Sequence, residues 1–446
     1  MLAVLRQRNY ALLWFGGLVS MLGDFVLFVG LPFEIYRLTG STLASAGMVL
    51  AFLVPSILLG SVAGVFVDRW DRRRLMVVVN LLQAVSLLPL LLVGELGLWV
   101  AYAVLVVESS LSQLFSPAQV ALMPSLLAGG KDELLTANAL SGVGRHLARL
   151  IGPALGGVIV AAGGLAAVGA VDSISFVASA GLLALIRPGP MPVPVHDPAS
   201  LEHQALSAWR RLAREWRDGL RVVAGEPVLR ALLVFALITA IGEGLTSALF
   251  VPWVVDALRS DSTGYGWVLS TQAIGGLAGA LVIARLGARL RPLPLLIGGA
   301  LMFGAIDLVL FTYPVLFPHI GPALVMLVIV GVPGAAMGAA ITTLQQTQTD
   351  DRHRGRVVGA IGAVAGIGAL VGAIGAGVLG EFVPVILLLV VQGSGYLVGG
   401  TAVALLVRGR RSASADQERL GVGSAIAPGI GIGPELVVPA QTRDED

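Results

Sequence analysis

The stretch Gly64-Val-Phe-Val-Asp68-Arg69-Trp70-Asp71-Arg72-Arg73-Arg74 decides how this chain folds. It lies between two long apolar runs, and six of its eleven residues are charged. A segment with this much charge cannot enter the hydrocarbon core of a bilayer, so it predicts a short loop between two membrane helices. Because cytoplasmic loops collect Lys and Arg, its four arginines predict that the loop faces the cytosol.

The composition is typical of a polytopic membrane protein. The 446 residues are 56% hydrophobic and only 13% charged, whereas a soluble domain needs far more charge on its surface. The formal net charge is only +2, and the basic residues fall in short loops rather than on one face. They therefore predict membrane sidedness, and no nucleic-acid partner is expected.

The chain lacks the residues that several kinds of chemistry require. The chain has no cysteine, which excludes disulfides and thiolate metal sites. Its five histidines form no HExxH pair, and its only lysine, Lys131, does not belong to a phosphate-binding loop. We see no nucleophile–base or metal constellation and expect neither an enzyme nor a bound cofactor, so any driving energy must come from a source other than ATP.

Apolar segments of about 20 residues, the length that crosses hydrocarbon as a helix, recur along the chain. The first runs from Tyr10 to Tyr36, and the others lie at about 44–67, 75–94, 98–121, 137–162, 166–186, 229–257, 265–287, 293–313, 321–344, 356–379 and 384–407. The predicted fold is an all-α membrane protein with twelve transmembrane helices in two six-helix bundles.

The distribution of basic residues predicts the topology. An even number of spans places both termini on one side of the membrane. Of the 29 Lys and Arg residues, only Arg37 and Arg259 fall on the side opposite to the Gly64–Arg74 loop. This asymmetry predicts a multi-pass protein of the cell membrane with both termini in the cytoplasm.

Four regions follow from this topology: an N-terminal bundle (1–187), a linker (188–228), a C-terminal bundle (229–408) and a disordered cytoplasmic tail (409–446). In the linker, apolar residues such as Trp209 and Trp216 recur at helical spacing, and arginines fill the remaining faces. A basic amphipathic helix of this kind is expected to lie on the inner leaflet, with a calmodulin-like partner as the sharper alternative.

The two bundles carry traces of an internal repeat. An offset of 219 residues places Gly23-Asp24 on Gly242-Glu243 and Arg72 on Arg291. An acid after a glycine in the first span of each half is difficult to obtain by chance. Two pseudo-symmetric six-helix halves are the architecture of a secondary transporter, with the substrate site between them near the midplane.

Seven carboxylates lie within the spans or at their ends. Those nearer the outer ends, where water or a helix contact accounts for them, are Glu34, Asp172 and Asp256. The mid-span candidates are Asp24, Glu108, Glu243 and Asp307. A charged acid at the bilayer centre costs about 2.5–3.5 kcal/mol, so such residues face a cavity, pair with a cation or hold a proton. We expect a proton or substrate role for Asp24 first, with a structural hydrogen bond as the alternative.

The fifth span has two further features. Arg145 is a candidate partner for an acid such as Glu108, or else its side chain extends to the inner interface. Further along, Gly152-Pro153-Ala-Leu-Gly156-Gly157 places small residues four apart, beside a proline that loosens the backbone hydrogen bonds. This pattern predicts a tight, bendable helix crossing, although generic small-residue packing has the same pattern.

Taken together, these stretches resemble the major facilitator superfamily over nearly the whole membrane part. The loop matches its signature of a glycine, three residues, Asp-Arg and a basic cluster at Gly64, Asp68, Arg69, Arg72 and Arg73. The stretch from Gly152 to Gly157 looks like the antiporter motif of its drug–proton exporters. The phrases that resemble its twelve-helix macrolide, multidrug and siderophore exporters are Gly23-Asp24, Leu31-Pro32, Ser116-Pro117-Ala118, Ala137-Asn138-Ala139 and Gly355-Arg356.

The resemblance implies that helices one, four, seven and ten line the cavity, which would place Asp24, Glu108 and Glu243 there and Asp307 at the periphery. It also implies that Asp68, held by Arg72, meets the N-terminus of helix eleven in the outward-open state.

Two departures from the family pattern weaken the transfer of the family's coupling mechanism to this chain. Asp71 stands where the family often has a glycine, and helix four carries Glu108 where many drug antiporters have an arginine. The proton-coupling scheme of those antiporters therefore does not carry over directly.

The function that the sequence predicts is proton-driven export of amphipathic small molecules, such as drugs and macrolides, by alternating access of the two halves. The expected partners are the substrate, protons and lipid, and the expected state is a monomer. One rival is an exporter of a specific metabolite, siderophore or lysophospholipid. A rival of another class is a non-transporting sensor or scaffold on the same fold, which would have no need of mid-span acids.

Overall fold

The structure, a computed structural model, describes residues 2–67, 70–127, 130–187, 214–286 and 290–419. Its membrane-spanning segments, labelled in chain order, are α1 (Arg8–Thr39), α2 (Thr42–Val67), α3 (Arg72–Leu87), α4 (Trp99–Leu122), α5 and α6 (130–162 and 165–184), α7 (Pro227–Pro252), α8 (Ser262–Leu286), α9 (Pro292–Thr312), α10 (Ile320–Thr347), α11 (Arg354–Leu379) and α12 (Val385–Arg419). Short turns of 3₁₀ or π helix extend four of them: Leu88–Leu92 after α3, Met123–Leu126 after α4, Trp253–Ala257 after α7 and Tyr313–Val315 after α9.

Two glycines separate α5 from α6 within the stretch Gly130–Ala184. Gly164 has a φ of 57° and a ψ of −147°, a conformation that glycine adopts readily and other residues do not. Among the described residues, 11 stretches are long and apolar enough to cross a membrane. The longest of them, with 53 residues, contains this break and therefore supplies two spans, α5 and α6. The predicted all-α fold with twelve spans is therefore confirmed.

The helices pack as two halves with the same internal arrangement. In the first half α1 contacts α5 and α6, α2 contacts α4, and α3 contacts α4 and α6. Six helices later the same pairs recur, because α7 contacts α11 and α12, α8 contacts α10, and α9 contacts α10 and α12. The helices that join the halves are paired in the same way, α2 with α11 and α8 with α5. This is the pseudo-symmetric major facilitator fold that the sequence predicts.

The two halves are joined at one face of the molecule. We call the face at which α1 begins and α12 ends the terminal face, and the opposite one the distal face. Near the distal face one apolar core crosses both halves and includes Val26, Leu249 and Trp253. Near the terminal face each half has a core of its own, around Met76 in the first and Leu296 in the second. The halves therefore close together distally and separate toward the terminal face.

Two predictions beyond the bundle stay predictions. Helix α12 is described to Arg419, within the predicted tail (409–446), and residues 420–446 lie outside the described residues. In the linker, 214–225 form a helix whose Asp218 lies 3.7 Å from Arg356 of α11. The part of the predicted amphipathic helix that contains Trp209 lies outside the described residues, and its place on the inner leaflet stays a prediction.

Candidate functional site

Three acids from different helices meet inside the N-terminal half. Asp24 lies on α1, Glu108 on α4 and Asp172 on α6, and each carboxyl group lies within electrostatic range of the other two. Glu108 and Asp172 are buried and Asp24 is half-buried. A Cβ on Gly23 would overlap the side chains of Asp172 and Ser175, so the glycine before Asp24 allows α6 to approach α1 closely.

Hydrogen bonds satisfy this acid cluster (Asp24, Glu108 and Asp172) only in part. Glu108 Oε1 accepts from Gln83 Nε2 at 3.0 Å and from Ser112 Oγ at 2.7 Å. Asp172 Oδ1 accepts from Ser175 Oγ at 3.1 Å. Asp24 Oδ1 and Asp172 Oδ2 are buried and have no partner among the described residues.

No cation neutralises the cluster within the part of the chain that the structure describes. The ion pairs there involve other acids: Glu34, Asp218 and Asp351. Arg145, the candidate partner of Glu108, is exposed and takes no part in them. Three neighbouring carboxyl groups with no cation repel one another when ionised, and burial adds a desolvation cost. Such a cluster is stable only when it holds at least one proton.

A second polar group lies inside the C-terminal half. Glu243 Oε1 on α7 accepts from Tyr396 Oη at 2.5 Å and from Gln392 Nε2 at 3.3 Å, both on α12. Asp307 on α9 lies within electrostatic range of Glu243 and is only 3% exposed. Glu243 itself is exposed, so this network reaches accessible space through one of its two acids.

The acids differ from the sequence-based expectation in two respects. Glu108 bonds to α3 and lies in the interior of its half rather than facing a cavity between the halves. Asp307, placed at the periphery by the resemblance, is buried beside Glu243, and Asp172, assigned to a plain helix contact, belongs to the acid cluster. The missed signal for Asp172 was Ser175, one turn later on the same helix face, which supplies a hydroxyl donor.

Part of the charged loop is outside the described residues. Asp68 and Arg69 fall there, so the expected contact of Asp68 with α11 stays a prediction. Arg72, which was expected to hold Asp68, donates to the backbone oxygen of Ala121 at 2.9 Å. Arg73 donates to the backbone oxygens of Leu183 and Ala184, so both arginines bind helix ends of their own half.

The departure at Asp71 has a local explanation. Its side chain accepts a hydrogen bond from the backbone N–H of Arg74 at 2.7 Å and caps the N-terminus of α3. An aspartate at this position satisfies a free N–H group and interacts favourably with the helix dipole.

The small residues of α5 make contacts on two sides. Gly152 packs against Phe25 of α1, and Gly156 packs against Val29 of the same helix. On the other side, a Cβ on Gly157 would meet the backbone of Ser262 at the start of α8, whose Oγ donates to the Gly157 backbone oxygen at 3.0 Å. The predicted tight crossing is thus also a contact between the two halves.

Two acids join the halves at the distal face. Tyr36 of α1 donates to Asp256, which follows α7. Glu381, in the loop between α11 and α12, accepts from Ser41 Oγ at 2.7 Å and from the backbone N–H of Leu43 at 3.1 Å. Glu381 therefore caps the start of α2 in the other half. The Leu43 N–H and the Ser41 hydroxyl hold the pKa of Glu381 below its usual value.

Twelve spans in two pseudo-symmetric halves, joined at one face and carrying buried acids in each half, define a secondary transporter of the major facilitator type. The chain matches the family described as "Transmembrane secretion effector" over residues 1–421, and it belongs to this family of major facilitator transporters.

Similar proteins and structures agree with this assignment. The chain is 28% identical to the multidrug efflux pump Tap of Mycolicibacterium fortuitum over 83% of this chain and 88% of that protein. It is 27% identical to the enterobactin exporter EntS of Citrobacter koseri, over 87% and 89% of the two chains. In fold it is similar to a bacterial homologue of the iron transporter ferroportin in its inward-facing state, with a TM-score of 0.66, 17% identity and coverage of 90% and 98%.

Proposed function

We propose that this protein is a proton-coupled exporter of amphipathic small molecules. The observation that carries the proposal is the acid cluster of Asp24, Glu108 and Asp172, which lies in the membrane-spanning interior with no cation among the described residues. A cluster that must hold a proton in one state, and can release it when water enters in another, couples proton movement to the conformational cycle.

The proposed orientation gives the cycle a direction. The basic loops favour a cytoplasmic terminal face, so the described conformation, separated at that face and closed distally, is the inward-facing one. Substrate enters from the cytoplasm in this state. Proton uptake at the acid cluster belongs to the opposite state, in which the distal contacts of Glu381 and Asp256 have opened. Proton release to the cytoplasm then resets the transporter.

Two observations favour amphipathic substrates. The membrane helices carry few ionisable side chains: α10, for example, has none between Ile320 and Thr347. In addition, one relative over most of the chain is a multidrug efflux pump. A specific exporter is the second candidate, favoured by the similarity to an enterobactin exporter.

Accumulation assays test the proposal. Expression in a host that lacks its own drug pumps should lower the steady-state accumulation of ethidium or a macrolide, and a protonophore should abolish the difference from empty vector. Secretion of enterobactin by a host without its exporter tests the second candidate. Unchanged accumulation over a broad compound panel, with secretion also unchanged, would refute both.

A further inference from the structure

We propose that Glu243 and Asp307 form a second proton-binding site, separate from the acid cluster, in the C-terminal half. Glu243 is the member that exchanges the proton with accessible space, and Asp307 is the member that stores it. The role of this second site in transport rests on the proposed proton coupling. Proton binding by the pair does not depend on that proposal.

Glu243 is the member of the pair that receives hydrogen bonds. Its Oε1 accepts two hydrogen bonds, from Tyr396 at 2.5 Å and from Gln392 at 3.3 Å. Donors to a carboxylate favour its charged form. Glu243 is also the exposed member of the pair, which makes it the member that exchanges a proton first.

The surroundings of Asp307 suit a neutral acid. It is 3% exposed, and its Oδ2 is buried without a hydrogen-bond partner among the described residues. One turn earlier on α9, Phe303 packs its ring 4.4 Å from that of Tyr396, which brings α9 against α12 at this level. An ionised carboxylate with a free oxygen in such packing would lose its hydration without compensation. Two neighbouring acids, with no cation beside them in the described part of the chain, repel each other when both are ionised, so the pair favours binding a proton.

Few other titratable groups lie on the helices packed against the pair. Of the two first-half helices that contact α7, α2 has none between Thr42 and Val67, and the acids of α1 belong to the acid cluster (Asp24) or pair with Arg37 (Glu34). On α12 the only titratable group within the membrane is Tyr396, which already donates to Glu243. Helix α10, which packs on α9, has none between Ile320 and Thr347, and α11, which packs on α7, has only Arg354 and Arg356 at its terminal end. Neither arginine pairs with Glu243 or Asp307, since their partners are Asp351 and Asp218.

The pseudo-symmetry of the fold supports a separate site. The acid cluster joins the first and sixth helices of its half through Asp24 and Asp172, and bonds to the third through Gln83. In the second half Glu243 lies on the first helix, Asp307 on the third, and Gln392 and Tyr396 on the sixth. The same three helix positions thus hold a polar network in each half, with no acid shared between them.

Infrared difference spectroscopy on the purified protein in nanodiscs tests this inference without any transport substrate. A pH titration should show two sets of carboxylic-acid carbonyl bands. Asp307→Asn should remove the set of bands that belongs to the Glu243–Asp307 pair, and Glu243→Gln should abolish the titration of that set. Asp24→Asn should affect only the set that belongs to the acid cluster. The control Glu95→Gln, at an exposed acid in the helical turn after α3, should change neither.

Tyr396→Phe provides a milder variant in case the Asp307 variant does not fold. Loss of the donated hydrogen bond should shift the midpoint of the second titration and leave the first in place. The inference is overturned if Asp307→Asn and Glu243→Gln retain every protonated-carboxyl band, or if Tyr396→Phe shifts no midpoint. Because these outcomes concern proton binding alone, they differ from a failure of drug export in cells.

Discussion

Asp24 is the residue on which we expect coupling to depend, because it is the half-buried member of the acid cluster and one of its oxygens has no partner among the described residues. Asn has nearly the same shape as a protonated Asp and cannot release a proton. Asp24→Asn should therefore lose active, protonophore-sensitive efflux and retain passive equilibration of ethidium across the membrane. Efflux assays in preloaded cells, with and without a proton gradient, measure both. Normal active efflux by this variant would remove Asp24 from the coupling mechanism.

The sequence identifies Asp24 as a candidate but does not show which acids lie beside it. The Gly-Asp phrase in the first span and its repeat at Glu243 are visible in one sequence because they lie on corresponding helices. The proximity of Asp24 to Asp172 depends on how α6 packs on α1, which periodicity does not contain. The burial of Asp307 was missed for the same reason: helix number alone does not fix which face points inward.

Helix α5 is the element whose packing most directly closes the distal face. Because a Cβ on Gly157 would meet the Ser262 backbone, Gly157→Val should force α5 and α8 apart and reduce the closed population. The chain has no cysteine, so spin labels can be placed without background at Glu95→Cys and Val315→Cys, in the short helical turns that follow α3 and α9 at the distal face. The label distance should lengthen in Gly157→Val.

The matched control for this prediction is Gly181→Val on α6. A Cβ there meets nothing within 4 Å, so the same added side chain should leave the distance between the labels unchanged. An equal effect of the two substitutions, or none from Gly157→Val, would contradict a closing role for the α5–α8 contact.

Glu381 contributes to distal closure through its charge. Its pKa is lowered in the closed state by donors at the start of α2, so the contact favours closure above the usual pKa of Glu, about 4.3, and is lost as pH falls through the lowered value. Glu381→Gln should lower the population of distally closed molecules at neutral pH. It should also remove the dependence of that population on acid. The same spin-label distance, recorded over a pH series, measures this. An acid response as large as that of the wild type would exclude Glu381 as its source.

At the level of elements, apolar length predicts the spans well because hydrocarbon thickness imposes it. The break between α5 and α6 falls between the two spans predicted there, at two glycines. The end of α12 is less well predicted, because helix continues to Arg419 into polar sequence where the hydrophobic criterion no longer applies.

At the scale of the whole molecule, transport requires a second state in which the terminal face closes. The loop with Asp68 is expected to dock on the N-terminus of α11 in that state. In the described state the same end of α11 contacts the linker helix, where Asp218 meets Arg356. Asp68→Asn should slow transport and leave substrate binding intact, as measured by quenching of a fluorescent substrate on purified protein. Loss of binding would contradict a gating role for the loop.

Proton-driven export itself is tested most directly in inside-out membrane vesicles from a pump-deficient host that expresses the protein. An imposed pH gradient, acid inside, should drive uptake of ethidium into the vesicles, and collapse of the gradient should release it. Proton-driven export would be contradicted if uptake proceeds equally without a gradient. It would also be contradicted if uptake of every compound in the panel is no greater than in vesicles from the empty host.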